Sequence, residues 1–300
     1  MKKIRLPFLC AMVAFVLHSC TKDISIKPLP YDNELSIECI LYPNKVPQLY
    51  LSNSVAFFSG LSTPQQLFVR GASVTITSSL GTDNLLMDST FDNFRCRWVP
   101  FYKGNFPTQI GLTYNLTVVY GGKTYTASTT VSQPPTHIQT VSYVTHFHDI
   151  YGDHEGVVVD FLDPAGSENY YRYQMNRMID TSVYGASTTL SLVHSTCTNG
   201  QPFPVSEFGR SIYSDKNLDG QVLTIVVEPA FLHQQGDSAY VMIQSMDKNS
   251  GEFYDNLDKQ NLAQLNPFVE PVFLKTKIDG CLGVFGSAIV SDSVLFVYPE

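Results

Sequence analysis

Apolar and polar residues alternate along most of this chain, which is the period of a β-strand with one buried face. In the segment GASVTIT, Ala72, Val74 and Ile76 share one face, and the hydroxyl-bearing residues share the other. The segment LTYNLTVVYGGKTYTAS predicts two strands joined at Gly121-Gly122, because glycine adopts the positive φ angles of a two-residue hairpin turn. The pattern therefore predicts a mainly β protein.

Strand-like segments recur about every ten residues over the first part of the chain. They predict an immunoglobulin-like β-sandwich of about seven strands over residues 34–132. The sequence around Tyr114, which follows Gly111 and Leu112, is typical of the tyrosine corner of such sandwiches. Pro134-Pro135 comes next, and because prolines lack amide donors and fix φ, we expect a stiff linker and a domain boundary there.

Residues 136–300 predict a second β-sandwich-like domain that carries one helix. Its strand-like segments are GVVVDFL, YYRYQMNRM, QVLTIVVE, AYVMIQSM, PVFLKTKI and SVLFVYP. The period changes near residues 250–265, where four apolar residues fall on one helical face: Tyr254, Leu257, Leu262 and Leu265. We expect Asn249 or Ser250 to cap this helix and Asn266-Pro267 to end it.

The first twenty residues have a different pattern. A basic head of Lys2, Lys3 and Arg5 precedes the uncharged run Leu6–Leu17, whose helical length of about 18 Å is too short for a hydrocarbon core of about 30 Å. This pattern predicts a signal peptide over residues 1–19. The sequence Leu17-His18-Ser19-Cys20 resembles a bacterial lipobox, so we expect Cys20 to be acylated and residues 20–33 to form a lipidated tether. The alternative is an ordinary secreted protein with a chance cysteine.

Charge excludes one class of partner. Loss of Lys2, Lys3 and Arg5 from the 19 basic residues leaves 16 basic against 27 acidic side chains, a net charge of −11 for the mature chain. Nucleic-acid binding needs a basic face that displaces counterions, and no Lys/Arg-rich run remains. No later segment is apolar for long enough to span a membrane, so the acylated Cys20 is the expected membrane attachment.

Four cysteines besides Cys20 belong to the mature chain: Cys39, Cys96, Cys197 and Cys281. An exported protein meets an oxidising compartment, and an even count is compatible with two disulfides. Pairing Cys39 with Cys96 and Cys197 with Cys281 would keep each bridge within one predicted domain. The alternative is four buried free thiols. No CxxC or CxxH spacing indicates zinc.

The segments LSIECILYP and GKTYTAS, and above all a run near the C-terminus, resemble the Bacteroidota lipoproteins grouped as domain of unknown function 4249. The C-terminal resemblance lies in Asn266, Pro267, Phe268, Glu270 and Pro271, followed by Gly283, Phe285 and Gly286, with Cys281 in place of the usual first glycine. The resemblance implies an immunoglobulin-like first domain and a gene often located beside a TonB-dependent receptor. It implies no known enzymatic activity. The C-terminal run has two possible roles, a docking motif or a bulged structural strand closing the second sandwich.

Candidate metal ligands cluster in the segment HFHDIYGDHE. His146 and His148 fall on one face of a predicted strand, and Asp149 and His154 follow closely, which is compatible with zinc or copper. The alternative is a polar loop, and because spacing alone does not bring ligands together we predict no metal and no cofactor. The segment DKNLDG opens like a calcium loop, but Val226 stands where the twelfth-position Glu is required, so we expect a hairpin turn.

No segment combines a nucleophile, a base and an oxyanion donor, and no GxSxG motif is present. We therefore expect a protein that is not an enzyme, although a secreted hydrolase with an unrecognised site is a third hypothesis. The first hypothesis is an outer-membrane, lipid-anchored accessory protein at the cell surface that docks on a TonB-dependent receptor. The second is a lipoprotein that itself captures a glycan, peptide or metal complex. A flat exposed apolar patch would favour docking, and a concave aromatic cleft would favour capture.

Overall fold

One ten-stranded sheet runs through both halves of the chain. The computed structural model describes residues 31–55, 62–149, 152–179, 197, 201–230, 233–265 and 272–299. In sheet order, the main path consists of Phe203–Phe208 (β12), Tyr170–Ile179 (β11), Ser238–Met246 (β15), Leu282–Val290 (β16), Leu35–Leu41 (β1), Gln48–Asn53 (β2), Arg97–Lys103 (β6) and Leu86–Asp92 (β5). Two short strands complete the sheet: Tyr213–Ser214 (β13) beside β11, and Val294–Val297 (β17) beside β15.

Two smaller sheets pack against this long sheet. One has four strands, in the order Gly81–Asn84 (β4), Ser73–Ser78 (β3), Thr113–Tyr120 (β7) and Lys123–Thr130 (β8). The other has three, in the order Val222–Val227 (β14), Gly152–Leu162 (β10) and His137–Asp149 (β9). The helices of the described residues are Pro64–Leu67 (α1) and Lys248–Leu265 (α2), and neither has the length and hydropathy needed to cross a bilayer.

Both smaller sheets lie on the same face of the long sheet, and α2 lies on the other face. Ser245 of β15 pairs with Ile289 of β16, and because side chains alternate along a strand, the odd-numbered residues of both strands face the same way. The odd-numbered residues of β15 pack against the three-stranded sheet, and those of β16 pack against the four-stranded one. Even-numbered residues such as Met246 and Ala288 pack against α2. The molecule therefore consists of two β-sandwiches that share one sheet.

This architecture confirms the predicted mainly β fold with sandwiches and one long helix. Val74 and Ile76 are buried on one face of β3, and Gly121 and Gly122 have positive φ between β7 and β8. The hydroxyl of Tyr114 accepts a 2.7 Å hydrogen bond from the Gln109 amide, the interaction that defines a tyrosine corner. The first part has eight strands among its described residues, including the short β4, and residues 272–278 of the expected strand PVFLKTKI are not a strand.

The long helix begins slightly earlier than expected, and its cap is a different residue. Asp247, rather than Asn249 or Ser250, accepts the Ser250 amide through Oδ1 at 2.9 Å. Its second oxygen, Oδ2, accepts from the Ser287 amide and, at 3.2 Å, from the Thr129 hydroxyl. A single carboxylate therefore caps α2 and also ties it to β16 and β8.

The first strand of the described chain, β1, and the second-to-last strand, β16, form the junction between the two sandwiches. β1 and β16 pair in parallel, from Ser36↔Leu282 to Leu41↔Ser287. Gly283 has φ +123°, and a Cβ there would overlap the Ile37 carbonyl, so only glycine fits this close approach. The long sheet contains strands from before and after the predicted domain boundary at Pro134-Pro135. The two halves of the chain are therefore not separate domains.

The predicted cysteine pairing is wrong. Cys96 is bonded to Cys197 with a Cα–Cα distance of 5.7 Å, and Cys39 and Cys281 are free and buried. Cys39 points from β1 into the core, whereas Cys96 lies in the turn of the β5–β6 hairpin, so these two thiols do not meet. Burial raises the pKa of the Cys281 thiol to about 11, and it raises the pKa of Cys39 further.

The contribution of the shared core to stability can be measured at Phe285. Its ring is only 1% exposed and packs in the core of the first sandwich, although the residue belongs to the C-terminal part of the chain. We expect Phe285→Ala to lower the free energy of unfolding by about 3–5 kcal/mol, seen as a lower melting temperature. The control is Phe273→Ala, because that ring is 83% exposed and its loss should change stability little. Equal melting temperatures for the two variants would contradict this packing.

Candidate functional site

A concave groove opens on the outer face of the long sheet, beside α2. Glu38 and Ile40 point into it because they alternate along β1 with residues that face the core, and Tyr42, which directly follows β1, lines it as well. β2 contributes Gln48 and Tyr50 to the same cavity of about 540 Å³. The remaining residues that line it are Lys45, Val46, Arg172, Phe208 and Tyr254. We call this cavity the outer groove.

Glu38 and Arg172 carry opposite charges in the outer groove and do not pair with each other. The Tyr254 hydroxyl donates a 2.6 Å hydrogen bond to Glu38 Oε1. The Arg172 guanidinium lies over the Tyr254 ring, 4.6 Å from its centroid, and over the Phe208 ring at 5.1 Å. Arg172 Nε donates to the Gly209 carbonyl at 2.9 Å, and no described residue accepts a hydrogen bond from its terminal nitrogens. The groove therefore offers the Glu38 carboxylate as a hydrogen-bond acceptor and the two terminal nitrogens of Arg172 as donors, both beside aromatic rings.

The tyrosines of the outer groove stay protonated at neutral pH. Burial raises the pKa of Tyr254, and the nearby Glu38 carboxylate raises it further. Burial also raises the pKa of Tyr42 and of Tyr50, while the Arg172 charge partly offsets the effect at Tyr42. These hydroxyls therefore act as neutral hydrogen-bonding groups, and Tyr254 keeps donating to Glu38.

A cluster of three aspartates holds two turns together. Asp163 accepts hydrogen bonds from the Gly220 amide at 2.7 Å, from Asn169 Nδ2 at 3.1 Å and from the Tyr171 hydroxyl. The carboxylate oxygens of Asp163, Asp215 and Asp219 lie within 4.8 Å of one another, a spacing compatible with a cation. Burial, followed by the neighbouring carboxylates, raises the pKa of Asp215.

The segment DKNLDG forms turns, but the predicted hairpin turn is wrong, because the flanking strands β13 and β14 belong to different sheets. Gln221 donates its amide to the Leu218 carbonyl at 3.0 Å, and Val226 lies in β14. Asp219 Oδ1 accepts the Gly166 amide at 2.7 Å. Asp163 and Asp215 are far apart in the chain, so the sequence does not reveal that their two turns converge.

The histidine candidates lie on two faces of the β9–β10 hairpin. His148 is opposite Asp153 in the register, and its Nδ1 lies 2.8 Å from Asp153 Oδ1. His146 Nε2 is 3.7 Å from the same oxygen. His154 pairs in register with Phe147 and therefore points to the other face, where its Nδ1 lies 3.3 Å from Glu228. The hairpin thus brings His146 and His148 to one carboxylate and separates them from His154; the side chain of Asp149 lies outside the described residues.

A second cavity, of about 480 Å³, is lined in part by Glu207, which forms a buried ion pair with Arg177. No pattern in the sequence indicates this pair. Arg177 Nε donates to Glu207 Oε1 at 2.5 Å, and Glu207 Oε2 accepts the Ala230 amide at 2.9 Å. Burial raises the pKa of Glu207, and the Arg177 charge opposes that shift. Because both charges are satisfied within the protein, this pair fixes the position of β12 against β11.

The C-terminal motif is structural where it is described. Gly283 and Phe285 lie in β16, with Phe285 in the core, and a Cβ on Gly286 would overlap the Ser250 hydroxyl. The other motif residues, Asn266, Pro267, Phe268, Glu270 and Pro271, lie outside the described residues. Cys20 and the predicted signal peptide, residues 1–19, lie outside them as well.

Large apolar side chains are exposed on the β5–β6 hairpin, which we call the edge hairpin. Leu86, Met87, Phe91 and Trp98 are all exposed, although β5 and β6 belong to the long sheet. The rings of Phe91 and Trp98 meet across the hairpin with centroids 5.3 Å apart. β5 is the last strand of the sheet path, so one side of it carries no neighbouring strand among the described residues.

A family model for a domain of unknown function, DUF4249, matches residues 21–293. The chain belongs to this family, which confirms the part of the resemblance that concerns family 4249 itself. No curated protein matches the chain. The family carries no assigned activity, so a function has to be argued from the outer groove, the edge hairpin and the N-terminal segment.

Proposed function

We propose that this protein is an outer-membrane lipoprotein, anchored at the cell surface through Cys20, that docks on a TonB-dependent receptor in nutrient uptake or envelope function. The basic head, the short apolar run and Cys20 support export and acylation. The Cys96–Cys197 disulfide supports an oxidising compartment, because disulfides persist outside the reducing cytosol. The proposal assigns the chain no catalytic role.

The direction of the edge hairpin is the observation that carries the docking proposal. The described chain begins just before β1, where Glu34 and Ser54 exchange hydrogen bonds. β2 is antiparallel to β6, with Gln48 opposite Lys103, so the first residues of β6 lie toward the end of β2 and the start of β1. The turn of the edge hairpin therefore lies at the end of the sheet where the tether enters.

This position directs the hairpin toward the membrane. Residues 20–33 span at most about 50 Å when extended, so the acylated Cys20 keeps the adjacent end of the sheet close to the bilayer. Phe91 and Trp98 are exposed at that end, and aromatic residues dominate the energetics of protein interfaces. A membrane-embedded receptor is the partner that such a surface meets first.

Ligand capture is a second candidate function, favoured by the outer groove. The groove is concave, has aromatic walls and carries Glu38 and Arg172, the combination of apolar lining and a few polar groups that is common in ligand sites. Capture and docking are compatible, because the groove is lined by β1, β2 and α2, whereas the exposed rings of the edge hairpin lie on β5 and β6.

Anchoring should depend on one residue. We expect Cys20→Ala to abolish incorporation of radiolabelled fatty acid and to leave an uncleaved, mislocalised precursor, because acylation of the thiol precedes cleavage. Cys10→Ala, a cysteine substitution within the signal peptide, should retain the label. Label in Cys20→Ala would contradict the proposed anchor.

Docking should depend on the exposed ring pair. A tagged protein purified from native outer membranes should carry a TonB-dependent receptor in stoichiometric amount, identified by mass spectrometry. We expect Trp98→Ser with Phe91→Ser to reduce the recovered receptor at least tenfold, because these rings anchor the interface.

The control for docking is Tyr240→Ser. Tyr240 and Trp98 are both 52% exposed, but Tyr240 lies on β15, away from the tether. This control should retain the receptor, and the fold of each variant is checked by its melting temperature. Full recovery with the double variant, or absence of a receptor from the unaltered protein, would overturn the docking proposal.

A further inference from the structure

We propose that the outer groove binds a small zwitterion, an amino acid or short peptide, with its carboxylate at Arg172 and its ammonium group at Glu38. This inference rests on the second candidate function, ligand capture, and names the class of ligand. It is independent of docking through the edge hairpin.

Arg172 is held ready to bind a carboxylate. Its Nε is bonded to the Gly209 carbonyl, and its guanidinium plane is fixed by the rings of Phe208 and Tyr254. The two terminal nitrogens form the fork that matches the two oxygens of a carboxylate. Because the side chain is already ordered, little conformational entropy is lost when a ligand binds.

Glu38 supplies the opposite charge a short distance away. Tyr254 donates to its Oε1, which leaves Oε2 without a hydrogen-bond donor among the described residues. Tyr254 thus holds Glu38 at its hydroxyl and Arg172 over its ring face, and the two charges do not form an ion pair with each other. A ligand with both charges can bridge the groups on either side of this ring.

The charges favour a zwitterion over other ligands. A neutral sugar would cover the half-buried Arg172 without supplying an acceptor of opposite charge, which is unfavourable. A ligand with only negative groups could pair with Arg172 and Lys45 but would leave the Glu38 carboxylate without a cationic partner. Tyr42, Tyr50 and Phe208 supply apolar walls for a side chain, and about 540 Å³ suits a ligand the size of a short peptide.

The test is isothermal titration calorimetry of the purified mature protein with a panel of zwitterionic dipeptides that carry apolar side chains. The same dipeptides are titrated with the amine acetylated or the carboxylate amidated. We expect at least one free dipeptide to bind and each blocked form to bind at least tenfold more weakly.

Two variants test which group of the ligand each charged residue binds. Amidation of the ligand should no longer weaken binding to Arg172→Met, because the carboxylate partner is already lost. Acetylation should likewise lose its effect in Glu38→Gln, which retains an acceptor for Tyr254. Arg70→Met is the control, since Arg70 also lies over a ring, that of Phe68, but outside the groove.

Three results would overturn the inference: no dipeptide binding at millimolar concentration, equal binding of free and blocked forms, or binding of galacturonic acid dimers without dipeptide binding. Receptor recovery from native membranes separates this failure from failure of docking. If the receptor still co-purifies while no dipeptide binds, the groove assignment is wrong and the docking proposal stands.

Discussion

The parallel pairing of β1 with β16 is the interaction on which the rest of the structure depends. It joins the start of the described chain to its C-terminal part and makes one sheet of two sandwiches. The pairing requires the backbones to approach at Gly283, where any side chain would overlap the Ile37 carbonyl. Core residues from both ends then pack together, with Phe285 and Ile289 beside Ile37 and Leu41.

A buried polar network strengthens the same junction. Asp247 caps α2 and accepts from Ser287 in β16, while the Ser287 hydroxyl donates to the Thr130 carbonyl at 3.0 Å. Hydrogen bonds in a buried site are costly to leave unmade, so this network fixes one position of the helix over the sheet. The outer groove follows from that position, because Tyr254 on the helix meets Glu38 on β1 only when the two halves are joined. The groove is thus a product of the junction rather than of either half.

Local pattern predicted the local structure well. Alternation identified β3, the glycine pair identified the β7–β8 turn, and the spacing around Tyr114 identified a hydrogen bond to Gln109. These features depend on neighbours a few residues away, which the sequence displays directly. The cap of α2 was misassigned by only a few residues, because Asp247, Asn249 and Ser250 are all good capping residues and the tertiary contact with Ser287 favours the first.

Long-range pairing was not predictable in the same way. A period of two shows which residues of β1 are buried but does not indicate that β16 is its neighbour. The Cys96–Cys197 bond likewise joins segments on either side of the expected boundary, so a rule that kept bridges within domains gave the wrong pairs. Arg172 and Glu38 occupied ordinary polar positions in their strands, and only the fold brings both to the Tyr254 ring.

The most direct test of this account is whether residues 34–132 fold without the rest of the chain. The segment contains eight strands, but its core lacks Phe285 and Ile289, and β1 would lose its parallel neighbour. The account predicts that the isolated segment has a poorly dispersed amide NMR spectrum and no cooperative melting transition, whereas residues 20–300 together have both a dispersed spectrum and one transition. A dispersed spectrum with a cooperative transition for the isolated segment would contradict the claim that the junction holds the fold together.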